Sequence, residues 1–253
     1  MTYTHTLPGR WHWLSATVGQ YSFGLYDQNE YAGNAQSNFA NYALAQNATQ
    51  TYVSGDIGVY AQAAAPDRKW VLAGGFQGAT NLTGSGLNPR GIATGKLAYF
   101  AAAQSAPGVL GGFYGLLWYA QPATPVQPSP SRGISFNAVH NINPKLGLFL
   151  RVNHASGRDS AIATSVAWGV VVNGLLARRP SDRLGLGFAW NKTNLQAVDL
   201  PARNSEFVAE IYYNYAVFKG LELGPDIQFY ADPVLAPASG PVAVLTLRGT
   251  ALF

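Results

Sequence analysis

Hydrophobic and polar residues alternate along much of this chain with the period of two that is typical of β-strands. In the clearest example, Phe207 and Ile211 share one face of a strand, whereas Glu206 and Glu210 share the other. Three segments show the alternation best: SEFVAEIYYNYAV, LELGPDIQFYAD and RLGLGFAWN. Helical periodicity is scarce, so the pattern predicts an all-β protein whose sheet has one apolar and one polar face.

We predict about twelve strands, most of them about 10 residues long, which is enough for a tilted strand to cross a membrane. Their approximate bounds are 11–24, 52–64, 70–79, 94–103, 110–121, 133–141, 145–154, 161–173, 183–192, 205–217, 220–231 and 242–253. Hydrophobic and polar residues alternate poorly in the first, fifth and eighth of these strands. The pattern therefore assigns their side chains to the two faces less clearly. We expect the whole chain, residues 1–253, to form a single domain.

The connections between the predicted strands alternate between short turns and longer loops. Short turns such as APDRK, SAPG, NPK and KG follow the even-numbered strands, and most connections after the odd-numbered strands are longer. Short turns on one rim and long loops on the other are typical of an outer-membrane β-barrel. The pattern therefore predicts a transmembrane antiparallel up-and-down barrel, in which an even strand count puts both termini at the periplasmic rim.

The two chain ends and the longest loop carry further expectations. Residues 1–10 are expected to form an N-terminal periplasmic segment, and the last strand is expected to pair with the first and close the barrel. The longest loop, about 25–51, is expected to fold over or into the lumen, the alternative being a lid exposed outside. Phe253, which ends an alternating strand, resembles the signal that the outer-membrane assembly machinery recognises.

Composition favours a membrane barrel over a soluble β-sandwich, whose strands would also alternate. Only 11% of the residues are charged, about half the usual share, so the polar face would make a poor solvent-facing surface. Aromatic residues lie near predicted strand ends, as in interfacial girdles: Trp70, Tyr119, Trp190, Tyr213, Tyr215, Phe229 and Phe253. The outward face is therefore expected to contact outer-membrane lipid and lipopolysaccharide.

Several chemistries find little support in the sequence. The chain has no Cys, which removes disulfides, thiol chemistry and Cys-ligated metal. No Lys/Arg cluster indicates nucleic-acid binding, and no apolar run is long enough for a transmembrane helix. His140 and His154, with Ser156 and Asp159 nearby, support a barrel lipase only weakly, because nothing sets a nucleophile against an oriented base. We therefore expect no enzyme, no cofactor and no metal.

The polar faces of the predicted strands supply candidate lumen residues. The charged candidates are Lys96, Arg151, Arg183, Arg248, Asp56, Glu206, Glu210, Glu222 and Asp226. Opposed basic and acidic groups would create a transverse field that orients polar solutes, unless they only neutralise one another inside a plugged barrel. The aromatic candidates for stacking on a sugar ring are Tyr52, Tyr60, Tyr114, Trp118, Tyr212 and Tyr230. Each of these rings could instead fill lumen volume or belong to a girdle.

Two stretches of the sequence resemble a known family. They are RNSEFVAEIYYNYAVFKGLELGPDIQFYADPVLAP, followed by a final strand that ends in Phe, and VGQYSFGLYDQNEYAGNAQSNFANYALAQ. Both resemble the carbohydrate-selective outer-membrane porins, the OprB-like family. The resemblance implies a monomeric or trimeric channel for sugars, with long loops folded into the pore. Family members are usually longer and have more strands, which suggests a shortened member or a missing N-terminal portion.

The pattern and the resemblance together predict a porin for passive diffusion of small hydrophilic solutes, with carbohydrates as the expected class. The expected partners are outer-membrane lipid and lipopolysaccharide, small sugars, the assembly machinery and further copies of the chain in a homo-oligomer, without nucleic acid. The alternative is a non-conducting structural or accessory barrel of an envelope assembly.

Overall fold

The computed structural model of this chain describes residues 1–51, 55–67, 69–80, 87, 89–107, 110–124, 128–158, 160–197, 203–234 and 236–251. Within these residues, thirteen strands form one antiparallel sheet in which the order of the strands follows the chain. The strands are β1 (Thr2–Thr6), β2 (Leu14–Tyr21), β3 (Asp56–Ala64), β4 (Trp70–Gly78), β5 (Leu97–Ser105), β6 (Gly112–Gln121), β7 (Ser131–Asn141), β8 (Leu146–Ser156), β9 (Ile162–Asn173), β10 (Arg183–Thr193), β11 (Ser205–Phe218), β12 (Leu221–Ala231) and β13 (Val242–Ala251).

Helical structure in the described residues is confined to single turns. The α-helices α1 (Tyr42–Ala45) and α2 (Arg90–Ala93) lie in long loops, and 3-10 turns cover Gly9–Trp11 and Phe23–Tyr26. None of the helices described is long and apolar enough to cross a membrane.

The predicted all-β, antiparallel up-and-down fold is confirmed, but the sheet has thirteen strands in the described part of the chain rather than about twelve. The additional strand is β1, in which Thr2 pairs with Gly19 of β2. We expected residues 1–10 to lie outside the sheet. The segment TYTHT forms a strand because threonine and tyrosine favour extended backbone, and Pro8 with Gly9 begins the turn into β2.

An odd number of strands places the two chain ends at opposite rims of the sheet. β1 starts beside Gly19, next to the long connection 22–55, whereas β13 runs toward the rim of short turns, where Ala251 pairs with Leu221. The expectation that both termini share the short-turn rim is therefore wrong for the N-terminus, because it assumed an even strand count. Which rim faces the periplasm stays a prediction.

The first and last strands are the edges of the described sheet. Within the described residues, β1 pairs only with β2, and β13 pairs only with β12. The prediction that the last strand pairs with the first is therefore wrong there, because an alternating pattern reports facing and not which edges meet. In hydrocarbon, the backbone groups of such an edge need hydrogen-bond partners.

The two faces of the sheet differ in chemistry. The outward face carries large exposed apolar side chains from β2 to β13: Val18, Val59, Leu72, Trp118, Ile134, Leu148, Trp168, Leu186, Ile211, Ile227 and Leu245. Buried polar residues such as Asn137, Arg151, Glu210 and Asp226 lie on the other face of the same sheet. An apolar outer band with a polar inner face is the pattern of a membrane barrel.

The inner face of the sheet is covered by residues 22–51 of the connection between β2 and β3, which we call the inner loop. Its Tyr26 stacks on Phe100 of β5, with ring centroids 5.2 Å apart. Its Phe39 packs edge-on against Tyr212 of β11, with centroids 4.9 Å apart. Because β5 and β11 lie far apart in the sheet, the sheet curves around the inner loop, and the core forms between the two.

Candidate functional site

Two clusters of hydrogen bonds are prominent among the contacts that attach the inner loop to the sheet, and the first is centred on Asp27. The Asp27 carboxylate accepts hydrogen bonds from Ser135 Oγ, from Asn137 Nδ2 at 2.6 Å and from Asn47 Nδ2 at 2.8 Å. Asn137 Oδ1 in turn accepts a bond from Arg151 Nε at 2.7 Å. We call these five residues the Asp27 junction. All of them are buried, so the hydrogen bonds replace the water that the carboxylate loses on folding.

The second attachment is residues 35–41, which we call the latch segment. Glu210 of β11 accepts hydrogen bonds from two of its backbone N–H groups, at 2.6 and 2.8 Å. Arg248 of β13 donates to two of its backbone carbonyls, at 2.7 and 2.6 Å. Arg183 Nη1 of β10 donates to Asn38 Oδ1 at 2.7 Å. Charged side chains of three strands therefore hold the latch segment on the inner face.

Two inner-face glycines let rings of the inner loop approach the strands closely. A Cβ at Gly187 of β10 would lie 2.7 Å from Phe39 Cε1, and one at Gly147 of β8 would lie 2.3 Å from Tyr31 Cε2. The Tyr31 hydroxyl also donates to Asn141 Oδ1 at 2.7 Å. A larger residue at either glycine would therefore push the inner loop off the sheet.

A cavity of about 660 Å³ lies between the inner loop and β9 to β13, on the long-loop side. Asn41, Asn191, Glu206 and Tyr230 contribute polar groups to its lining, and Val234 contributes apolar surface. The Glu206 carboxylate accepts hydrogen bonds from Asn191 Nδ2 and from the Val234 backbone N–H, each at 3.1 Å. A concave site with apolar walls and a few fixed polar groups suits a small polar molecule.

Most of the predicted charged residues lie on the inner face, where they bond the inner loop or neighbouring strands. Arg248 Nη2 is 3.5 Å from Asp226 Oδ2 on the adjacent strand. Asp56 is buried at the start of β3, where its carboxylate accepts the backbone N–H groups of Ile57 and Thr80 at 2.7 and 3.1 Å. The others on this face are Arg151, Arg183, Glu206, Glu210 and Glu222.

Three of the predicted lumen residues lie elsewhere. Lys96 is exposed in the loop that precedes β5, so it is outside the strand whose polar face it was assigned to. Tyr114 and Trp118 lie on the outward face of β6, whereas Leu117 and Tyr119 are buried on the inner face. The facing of β6 was wrong because its sequence, GFYGLLWYAQ, carries large apolar residues at both alternating positions.

The other aromatic candidates divide into packed rings and one cavity ring. Tyr60 lies 4.8 Å from Tyr21 between ring centroids, and Tyr212 lies 4.9 Å from Phe39, so both are core rings. Tyr230 lines the cavity, and its hydroxyl accepts a hydrogen bond from Asn41 Nδ2 at 2.6 Å. Two further candidates, Tyr52 and Phe253, lie outside the described residues.

The sequence-based reasoning missed the residues of the inner loop that bind the sheet. Asp27, Asn38 and Asn41 lie at the two attachments, yet no strand pattern includes them. The signal that could have indicated them is the concentration of Asn between Asn29 and Asn47, because Asn fixes turns through its own side chain.

The histidines considered for catalysis have structural partners. His154 Nδ1 lies 3.0 Å from Thr164 Oγ1, on the outward face of neighbouring strands. Ser156 Oγ donates instead to the Arg132 carbonyl at 3.3 Å. These contacts do not form the nucleophile–base pair that hydrolysis requires.

At the short-turn rim, a buried carboxylate connects the turn between β9 and β10 to β11. Asp182, between β9 and β10, pairs with Arg179 at 2.6 Å and accepts hydrogen bonds from the Tyr213 hydroxyl and the Ala216 backbone N–H. Burial raises the pKa of the Asp182 carboxyl, but the hydrogen bonds from Arg179, Tyr213 and Ala216 outweigh burial, so its pKa lies below its ordinary value. These contacts tie the turn 174–182 to β11.

An antiparallel sheet with an apolar outer face and a polar inner face, curved around an inner loop and a cavity, is typical of the porin class of outer-membrane β-barrel. The family described as carbohydrate-selective porins, the OprB family, matches residues 9–253. This chain belongs to that family, which is a family of outer-membrane channels and not of enzymes.

Relatives and solved structures agree with this assignment. The chain is 34% identical over 252 residues to porin AaxA of Chlamydia pneumoniae, covering 98% of this chain and 57% of that protein. Porin AaxA of Chlamydia muridarum is also 34% identical, with 98% and 54% covered. The chain thus spans little more than half the length of these relatives.

The fold matches two solved outer-membrane channels at low sequence identity. A high-pH structure of Pseudomonas putida OprB matches with a TM-score of 0.74 and 17% identity, over 99% of this chain and 72% of that one. The outer-membrane channel DcaP of Acinetobacter baumannii matches with a TM-score of 0.61 and 12% identity, over 94% and 71%. At these identities the likeness concerns the fold alone.

Proposed function

We propose that this chain forms the wall and the constriction of a channel through which small hydrophilic solutes diffuse passively, with carbohydrates as the solute class. The observation that carries the proposal is the cavity of about 660 Å³ between the inner loop and β9 to β13, on the polar side of a sheet with an apolar outer face. The description of the family supports carbohydrates as the solute class.

The cavity offers the two kinds of group that a sugar needs. The ring of Tyr230 provides an aromatic face for the C–H face of a sugar, and Glu206 with Asn191 provides acceptors and donors for hydroxyls. Beyond the cavity, Arg183, Arg248 and their acidic neighbours shape the electric field along the path.

The proposed partners follow from the two faces and from the family. The outward apolar band contacts outer-membrane lipid and lipopolysaccharide, and small sugars pass along the inner face. Recognition of Phe253 by the assembly machinery and assembly into a homo-oligomer are part of the same proposal.

Single-channel conductance in planar bilayers, with and without a neutral disaccharide, tests this function. We expect an open channel whose current the disaccharide reduces in a saturable way. Tyr230→Ala should weaken the apparent sugar affinity about two- to tenfold, because stacking on an aromatic ring contributes about 0.5–1.5 kcal/mol. The matched control is Trp118→Ala, which removes an aromatic ring from the outward face and should leave the sugar affinity unchanged.

The same recordings separate the proposed channel from a non-conducting accessory barrel. A protein that inserts and resists unfolding in detergent until heated, yet never conducts, would overturn the channel proposal. Equal sugar affinity in the wild type and in Tyr230→Ala would overturn the assignment of the cavity as the sugar path.

A further inference from the structure

Four hydrogen bonds with charged side chains of the sheet hold the latch segment by its backbone. Glu210 Oε1 accepts the N–H of Ala40 at 2.6 Å, and Oε2 accepts the N–H of Asn41 at 2.8 Å. Arg248 Nη1 donates to the carbonyls of Ala35 and Asn38, at 2.7 and 2.6 Å. One carboxylate thus takes the donors at one end of the segment, and one guanidinium takes the acceptors at the other.

Both charged groups are withdrawn from water, which makes these contacts mutually dependent. Glu210 is 1% exposed, and the Arg248 side chain is 13% exposed. A buried carboxylate needs hydrogen-bond donors in place of water, and the latch segment supplies two of them. Removing either charged group therefore leaves unpaired backbone groups on the segment, and the segment leaves the inner face more easily.

Smaller contacts from the same strands set the orientation of the segment. Asn214 Nδ2 donates to the Ser37 carbonyl at 2.5 Å, and Thr250 Oγ1 donates to the Gln36 carbonyl at 2.8 Å. Together with the bonds from Arg248, β11 and β13 thus bond four successive carbonyls of the segment, from Ala35 to Asn38. The strands therefore fix the position of the segment beside the cavity, which Asn41 lines.

We propose that Glu210 and Arg248 are positioning residues that hold the latch segment on the inner face and thereby set the width of the solute path beside the cavity. The proposal concerns what holds the constriction, and it rests on the proposed function for its link to transport. The two residues act through the latch segment and need not touch the solute.

Thiol alkylation tests the holding role without any assay of transport. The chain has no Cys, so a single thiol introduced by Ala43→Cys reports only on its own site. Ala43 directly follows α1's first residue and is 3% exposed, packed with Phe39 and Leu44 between the inner loop and the sheet. A bulky water-soluble maleimide should therefore react with this thiol slowly, in the folded protein in lipid vesicles.

In the Ala43→Cys protein, the further change Glu210→Ala should raise the alkylation rate about tenfold or more, because two hydrogen bonds to a charged group are lost. Arg248→Lys should raise it about threefold, since a single ammonium replaces a guanidinium that bonds two carbonyls. The control is Glu222→Gln, on the inner face of β12, for which no hydrogen bond to the inner loop occurs among the described residues; its rate should stay within about twofold.

Resistance to unfolding in detergent until heated confirms that each variant is folded before its rate is compared. Equal rates in the parent, Glu210→Ala and Arg248→Lys would overturn the holding role. If Glu210→Ala cannot be folded, Arg248→Lys decides the question by itself.

Conductance then links the holding role to the path. Relative to its parent, Glu210→Ala should give a larger or noisier single-channel current, and an unchanged current alongside faster alkylation would overturn the link to path width. A parent that never conducts would count against the proposed function, whereas the alkylation rates would still decide whether Glu210 and Arg248 hold the segment.

Discussion

The two attachments of the inner loop are built differently. At the Asp27 junction, an acidic side chain of the loop enters a cluster of Ser and Asn on β7 and β8. At the latch segment the direction is reversed, since charged side chains of β11 and β13 bond the backbone of the loop and one of β10 bonds Asn38 Oδ1. The junction therefore depends on the acidic side chain of the loop, and the latch segment depends on charged side chains of the strands.

The surroundings of the two attachments differ as well. β7 and β8 are paired on both sides, with long ladders to β6 and β9. β13, which supplies Arg248, pairs on one side only within the described residues. This difference in strand pairing indicates a division of roles. The junction fixes the inner loop as part of the fold, whereas the latch segment is the part of the loop that can leave the inner face. Three changes test this division.

The largest effect is expected from Asp27→Asn. The new amide would point N–H groups at donors that now bond the carboxylate, so we expect a loss of about 3 kcal/mol in the free energy of unfolding. Urea unfolding in lipid vesicles, followed by tryptophan fluorescence, measures it. The control is Asp67→Asn in an exposed turn, where loss of the solvent-exposed pair with Lys69 should change the free energy of unfolding far less. Equal losses in the two variants would contradict the role of the junction.

A smaller effect is expected from Gly187→Val, which acts near the latch segment without touching its charged contacts. The valine would displace Phe39 and Leu44, whose side chains lie 2.7 and 3.1 Å from the position of a Cβ. We expect a loss of about 1–3 kcal/mol and faster alkylation of the Ala43→Cys thiol. The control is Gly249→Ala on β13, where the new Cβ would lie 3.7 Å from its nearest atom. It should change the free energy of unfolding and the alkylation rate only slightly. Slower alkylation of the Ala43→Cys thiol in Gly187→Val would contradict the proposed packing of the latch segment against β10.

The smallest effect is expected at the short-turn rim, which belongs to neither attachment. Because the pKa of Asp182 is lower in the folded protein than its ordinary value, its contribution is fully present above about pH 4 and is lost as the pH falls through the folded pKa. Asp182→Asn should lower the free energy of unfolding by about 1 kcal/mol at neutral pH.

The difference in the free energy of unfolding between Asp182→Asn and the wild type should shrink below about pH 4, where the carboxyl of the unfolded wild type takes up a proton, and should be lost below the folded pKa. Alkylation of the Ala43→Cys thiol should not respond to this change. A difference that grew toward low pH would contradict the assigned contacts of Asp182.

How far the sequence predicts the structure depends on the strand. In β11 and β12, every acidic residue falls at an inner-face position and the outward positions are almost all apolar, and the predicted faces of Glu210 and Asp226 agree with their burial. In β6, large apolar residues occupy both faces, so the pattern carries no information on facing, and Trp118 was assigned wrongly. Alternation therefore predicts the facing of a strand only where the inner and outer faces of the sheet carry different types of residue.

The site was less predictable than the fold for a physical reason. Glu210 bonds Ala40 and Asn41 across about 170 positions of the chain, and no local pattern encodes such a contact. Inner-face charges were therefore expected to face one another across a lumen, whereas Glu210 and Arg248 bond the inner loop. Lys96 has the parity of the inner face of β5 but precedes the strand, which a pattern with uncertain ends cannot resolve.

Hydrogen exchange of the inner loop in lipid vesicles tests most directly whether the sheet holds this loop on its inner face. The backbone N–H groups of Ala40 and Asn41 bond Glu210, so a peptide that covers 38–45 should exchange far more slowly than an unfolded chain. Glu210→Ala should remove much of that protection, while a peptide around Asp27 keeps its own. Exchange of residues 38–45 at the rate of an unfolded chain in the wild type would contradict the account.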